Sequence, residues 1–180
     1  MASLYVTTYG SDKDGLVCAY LFAPGEAGRP VDADEAAAWL EAPPVPGSFL
    51  WLHFNVSNAA ALRFMQQHLA LPDAFHESLR GDAGSTRVEQ SGDWLVAVLN
   101  DVLFDFAFDA SHVSTVNLCV ERRLLVSARS KPLRSIDRLR ESVRQGETFR
   151  STAGLLAHLL RDQADVMVQI VRDSTGRVNA

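Results

Sequence analysis

Residues 49–56, Phe-Leu-Trp-Leu-His-Phe-Asn-Val, form the densest run of large apolar side chains in the sequence. Pro43, Pro44, Pro46 and Gly47 break the chain just before it, and Ser57-Asn58 ends it. An aromatic-rich run of this length between turn residues predicts a buried strand. Side chains alternate across a strand, so His53 and Asn55 share one face while Leu50, Leu52 and Phe54 share the other. Neither face is free of large apolar groups, which calls for a central strand with helices on both sides. The next segment fits: Ser57 is a candidate N-cap, and Leu62, Met65 and Leu69 recur at helical spacing up to His68.

The length of 180 residues suits one domain with a real core. No apolar run approaches the ~20 residues that cross a bilayer, and the first residues lack the pattern of a signal peptide. Cys18 and Cys119 stand alone inside apolar runs, without CxxC spacing. That pattern predicts buried, inert thiols in a reducing compartment. Charge is segregated: residues 1–121 carry a net −11 and residues 122–150 a net +6. A basic block on an acidic body can meet nucleic acid, a membrane surface or an acidic neighbour, or simply be a solvated helix face.

Turn residues and hydrophobic periodicity divide the rest of the chain. Leu4–Thr8 and Leu16–Phe22 read as strands, separated by the Gly10–Gly15 turn. Asp32–Glu41 reads as a short acidic helix. Pro72 opens a second short helix to about Arg80, with Phe75 and Leu79 four apart. Residues 81–86 read as a loop, and 87–90 with 94–99 as a β-hairpin whose second strand extends towards Phe104. Val113–Val120 and Leu124–Ala128 are joined by Glu121-Arg122-Arg123, too few residues for a crossover, so that pair is antiparallel. A helix follows from Pro132 to Gln145, closed by Gly146. A long amphipathic helix starts at Ser151 and reaches at least Val171, with Leu156, Leu159, Leu160, Met167 and Ile170 as the stripe facing the sheet. Residues 174–180 are expected to be frayed, or ordered only by a neighbouring molecule. Strands joined partly by helices and partly by hairpins predict an α/β fold: a mixed parallel/antiparallel sheet sandwiched between helices, ending in a long C-terminal helix.

No GxSxG, Walker loop, HExxH or GxGxxG is present, and Ser85, Ser91 and Ser127 have no base that spacing alone supplies. His53 is a candidate core or rim histidine before it is a ligand. Asp73, His76 and Glu77 share a helix face, a spacing that chance often produces. The sharper set is His158, Asp162 and Asp165, whose i, i+4, i+7 spacing aligns three candidate metal ligands on the last helix. A solvated helix face explains the same spacing. No catalytic set emerges.

The order and spacing of these segments resemble a known family. Trp51-Leu52-His53-Phe54-Asn55, Leu71-Pro72, Leu79, Arg87-Val88, the strand from Trp94 to Val102, Val116–Val120 and Leu124–Arg129 follow the cytoplasmic N-terminal domain of the CorA-type divalent-cation transporters. The Trp-Leu-His-x-Asn form is similar to the ZntB-like zinc-transport branch. The resemblance covers roughly residues 16–175. It implies an α/β/α sandwich over 1–150 and the start of a stalk helix over 151–180. In the family the stalk leads to two membrane spans with a Gly-Met-Asn signature, and five protomers form a funnel. This sequence contains neither span nor signature, so the expectation is the cytoplasmic portion of a longer transporter rather than a stand-alone relative.

What the resemblance implies for function is a non-enzymatic regulatory or ion-sensing domain at the cytoplasmic face of the bacterial inner membrane. Zinc or magnesium ions are its ligands and its own copies its partners, a homopentamer in the full-length protein, with no nucleic acid and with the membrane reached through a C-terminal region. Without the stalk and membrane parts, a monomer or weak dimer is expected. The rival reading is a stand-alone soluble α/β enzyme or small-ligand-binding domain, which a concave pocket with convergent polar groups would favour.

Overall fold

The run that dominates the sequence is strand β3 (Phe49–Asn55), and every one of its residues is buried. In the computed structural model, which describes residues 10–81, 86–103 and 113–178, it is the third strand of a seven-stranded sheet. The other strands are β1 (Leu16–Phe22), β2 (Arg29–Pro30), β4 (Arg87–Ser91), β5 (Trp94–Val102), β6 (Val113–Val120) and β7 (Leu124–Arg129). Their spatial order is β2-β1-β3-β7-β6-β5-β4. β3 runs parallel to β7, and the other pairs among the described residues are antiparallel. The mixed sheet predicted from the connections is therefore present, as is the antiparallel β6–β7 pair.

Helices cover both faces. Leu50, Leu52 and Phe54 of β3 pack with α1 (Ala33–Glu41), α2 (Ala59–His68) and α3 (Asp73–Arg80) through Ala36, Ala61, Phe64, Met65 and Phe75. Phe49 and Trp51 face α4 (Arg134–Arg144) and α5 (Thr152–Val178) with Ile136, Leu139, Leu155 and Leu159. Stacked rings reinforce this second face: Phe22 on Phe49 at 4.5 Å and Tyr20 on Trp51 at 5.8 Å. Each large side chain fully buried here stabilises the fold by roughly 1.5–3 kcal/mol.

Local chemistry explains where the elements start. Asp32 caps α1 by accepting from the Glu35 N–H at 2.8 Å. The cap of α2 is Asn58, not the expected Ser57: Asn58 Oδ1 accepts from the Ala60 N–H at 3.0 Å. Ser57 is turned away, its hydroxyl donating to the Ser130 carbonyl at 3.1 Å. Gly15, at φ +79°, closes the turn before β1, and a Cβ there would lie 2.5 Å from the Ala61 Cβ. Only glycine permits both that backbone and that approach.

Three further expectations need correction. Leu62 is 38% exposed, and Phe64 takes its place on the buried side of α2. On α5, Leu160 is 42% exposed while Leu155, Leu159 and Val166 form the buried stripe, so the helix is rotated from the expected face. Helical geometry also continues through Val178, past Gly176, farther than the fraying expected from residue 174. The expected first strand, Leu4–Thr8, and Phe104 lie outside the described residues.

Candidate functional site

Helix α5 brings two of the three expected metal-ligating residues into contact. Ser151 starts it by accepting from the Gly154 N–H at 3.0 Å, and Thr152 ties it to the sheet by donating to the Glu121 carbonyl at 2.7 Å. Leu155 and Leu159 then seat its inner face. His158 sits on the flank of that face, half-buried, with the edge of its ring against Phe149 at 5.3 Å.

His158 Nε2 approaches Asp162 Oδ2 at 3.4 Å, one helical turn on. That oxygen has no hydrogen-bond partner, so the contact is an ion-pair approach rather than a directed bond. His158 Nδ1 lies 3.3 Å from Glu147 Oε1, and the Ser142 hydroxyl is 3.4 Å from Nε2. Burial raises the Asp162 carboxyl above the usual range, opposed by His158 and Arg138 and reinforced by Asp165 and Glu147. Asp165 is exposed. The two carboxylates flank opposite ring nitrogens, so an ion held at one nitrogen could take only one of them. Among the described residues no group of three or more His, Cys, Asp or Glu side chains is arranged to hold a metal ion.

Glu147 was not legible as a member of this cluster. Its signal is Gly146: at φ +89° that residue ends α4 and turns the chain back along the start of α5. Asp73 and Glu77, on α3, are exposed, and His76 lies beside Phe75.

A second polar cluster is buried between the sheet and α4. Trp51 Nε1 donates to Ser127 Oγ at 2.9 Å, and His53 Nδ1 lies 2.8 Å from the same oxygen. Register places His53 between Cys18 of β1 and Ser127 of β7. Burial holds His53 well below the usual imidazole range, and Arg129 and Arg140 add to the effect. His53 is thus a neutral core histidine. Burial likewise pushes the thiols of Cys18 and Cys119 up to about 12, which makes both inert.

The acidic body gathers at the turn before β1 and the start of α1. A groove of about 530 Å³ there is lined by Asp12, Asp14, Asp32 and Asp34 together with Lys13. Much of its polar capacity is already used. Asp12 Oδ1 accepts from the N–H groups of Asp14 and Leu16, Asp32 caps α1, and Asp14 pairs with Lys13 at 2.7 Å.

The sequence model of the family described as "CorA-like Mg2+ transporter protein" matches residues 46–179. The chain is 22% identical over 126 residues to the zinc transport protein ZntB of Cronobacter sakazakii, covering 68% of this chain and 38% of that one. The structure of the full-length CmaX protein superposes with a TM-score of 0.82 at 18% identity, over 94% of this chain and 51% of that chain. The ZntB cytoplasmic domain from Vibrio parahaemolyticus superposes with a TM-score of 0.68 at 13% identity, over 90% of this chain and 64% of that chain. The chain thus spans about half or less of the length of the ZntB and full-length CmaX proteins, and it shares their α/β/α core. The family model's match over residues 46–179 shows that the chain belongs to the CorA-like Mg2+ transporter family.

Proposed function

We propose that this chain is the cytoplasmic ion-sensing domain of a divalent-cation transporter, and not an enzyme. The observation that carries this reading is the two-part construction of α5. As far as Val166 the helix is anchored by Leu155, Leu159 and Val166. Beyond Val166 none of its described side chains is buried, and Val168 and Val171 are 47% and 64% exposed. Such a helix transmits a displacement of the sandwich to whatever continues beyond it. Residues 1–150 are then the sensing body and 151–180 the start of the stalk.

Divalent cations, zinc or magnesium, are the ligands that the family supports, and the acidic face attracts them. The body biases a pore only if it binds an ion differently in two states, because a ligand shifts an equilibrium through differential affinity alone. The full-length assembly is a homopentamer at the inner membrane. His158 and Asp162, with Asp165 one turn on, are the residues on the connecting helix that would engage zinc, with Glu147 as an alternative carboxylate. Titration calorimetry of zinc into the wild type and His158→Ala tests this assignment. Saturable binding weakened about tenfold or more in the variant is expected from the loss of a ligating imidazole. Equal affinities would remove the helix row from the site.

A further inference from the structure

Helix α4 carries Arg134, Arg138, Arg140 and Arg144 of the basic block, and beside that helix lies a groove of about 660 Å³. Its lining among the described residues is Arg134, Asp137, Arg138, Arg140, Glu141 and Arg144. The volume falls in the range of small-ligand sites. The chemistry is one-sided. Asp137 Oδ1 is engaged by Arg140 Nη1 at 3.0 Å, and Glu141 Oε1 by the Gln145 amide at 3.0 Å. Among the described residues no carboxylate lies within ion-pair distance of Arg138 or Arg144.

Donor groups also gather in the interior behind the groove. Arg140 Nε and His53 Nε2 are buried without a hydrogen-bond partner. Arg129, 4% exposed, shares the sheet face of His53. The Ser127 hydroxyl accepts the Trp51 N–H, and its own proton has two possible acceptors: His53 Nδ1 at 2.8 Å and the Leu52 carbonyl at 3.4 Å. The shorter contact assigns it to Nδ1 and leaves the imidazole proton on Nε2. Arg129, Arg140 and His53 thus present donors to this corner, and Asp137 is a carboxylate there that Arg140 already engages. The low imidazole pKa of His53, caused by burial and then by Arg129 and Arg140, reports the same positive field.

We infer that the α4 groove binds a phosphate group, held by the guanidinium groups of Arg138, Arg140 and Arg144. Guanidinium forks match the paired oxygens of phosphate and gain most where several converge. The lining residues are all charged, with no aromatic ring among them, and their aliphatic stems form the apolar part of the wall. The site goes beyond the cation-sensing reading: it takes an anion, on a different helix. The phosphate can belong to a soluble phosphate ester or to the headgroup of a membrane lipid.

The test uses the whole chain, labelled with ¹⁵N and titrated with pyrophosphate at constant ionic strength. Amide shifts confined to residues 134–144 are expected. The Arg138→Gln/Arg144→Gln double variant should bind about tenfold or more weakly, as loss of two charge-assisted contacts implies. Arg63→Gln, on α2 across the sheet, should bind as the wild type does. Both substituted arginines of the double variant are exposed, and its amide spectrum checks the fold; if the fold is lost, Arg138→Lys/Arg144→Lys replaces it, with the same direction of effect. The second arm sediments the protein with phosphatidylcholine vesicles, with and without phosphatidic acid. Soluble binding lost in the double variant assigns a phosphate ester. Sedimentation with phosphatidic acid alone, lost in the double variant, assigns a lipid headgroup. No binding in either arm, or binding equal in the double variant and Arg63→Gln, overturns the proposal.

Discussion

Asp101, near the end of β5, caps helix α4 through Ser135: its Oδ2 accepts both the Ser135 backbone N–H, at 3.1 Å, and the Ser135 hydroxyl. Its Oδ1 accepts the Val102 N–H at 2.8 Å. The formal N-cap of α4, Leu133, has no side chain able to do this, so a strand supplies the cap from 34 residues away. Both residues are buried. The link fixes the start of the arginine helix to the sheet.

Asp101→Ala should therefore destabilise the chain by about 2–3 kcal/mol, because it strands buried donors that have no water to turn to. Asp101→Asn keeps an acceptor and should cost less. Burial raises the Asp101 carboxyl above the usual range despite its bonds to Ser135 and Val102. A raised carboxylate pKa means that the folded state holds the proton longer, so this residue's contribution to stability falls as pH rises from the ordinary aspartate range through the raised value. Urea unfolding across that window should show the fall in wild type relative to Asp101→Asn.

His53 gives the opposite slope. Its imidazole stays neutral in the fold, held down by burial and then by Arg129 and Arg140. Below the ordinary imidazole range the unfolded chain takes up a proton that the folded chain refuses, so stability falls as the solution is acidified, by up to about 1.4 kcal/mol per pH unit. The difference in urea midpoint between pH 7 and pH 5 should shrink in His53→Gln. An unchanged difference would mean that His53 is charged in the fold.

The rotation of α5 makes a paired prediction. Leu159→Ala removes a buried side chain and should cost about 2–5 kcal/mol, whereas Leu160→Ala, one residue on, should stay within about 0.5 kcal/mol in this chain. Equal losses at the two positions would place the helix differently on the sheet.

What could be foreseen follows from how local each signal is. β1, β3 and the β6–β7 pair were legible because apolar runs ended by turn residues need no tertiary information. So was the entry of α1 at Asp32, which the structure makes the cap. The expectation of Ser57 as the α2 cap failed because Asn58 caps as well, and only the direction in which the chain leaves β3 sends Ser57 to the Ser130 carbonyl. The face of α5 was misread for a related reason. Leu155, Leu156, Leu159 and Leu160 make its first turns apolar over a wide arc, and only the sheet selects Leu155 and Leu159. Asp101 with Ser135, and His158 with Glu147, are pairings across the fold, which no periodicity announces. Of the metal row, helical spacing correctly placed His158 beside Asp162 but could not bring in a carboxylate from the preceding loop.

On the proposed reading, divalent cations acting on the sandwich alter the helix that leaves it. Amide hydrogen exchange along α5, at constant ionic strength with and without zinc and, separately, magnesium, tests this most directly. Without cation, slow exchange is expected around Leu159 and faster exchange after Asp173, since the buried anchors end at Val166. With the cation that the domain senses, protection between residues 160 and 178 should change while that of β3 stays fixed. Exchange along α5 that is identical in the presence of saturating zinc and of saturating magnesium to that without either would contradict the account.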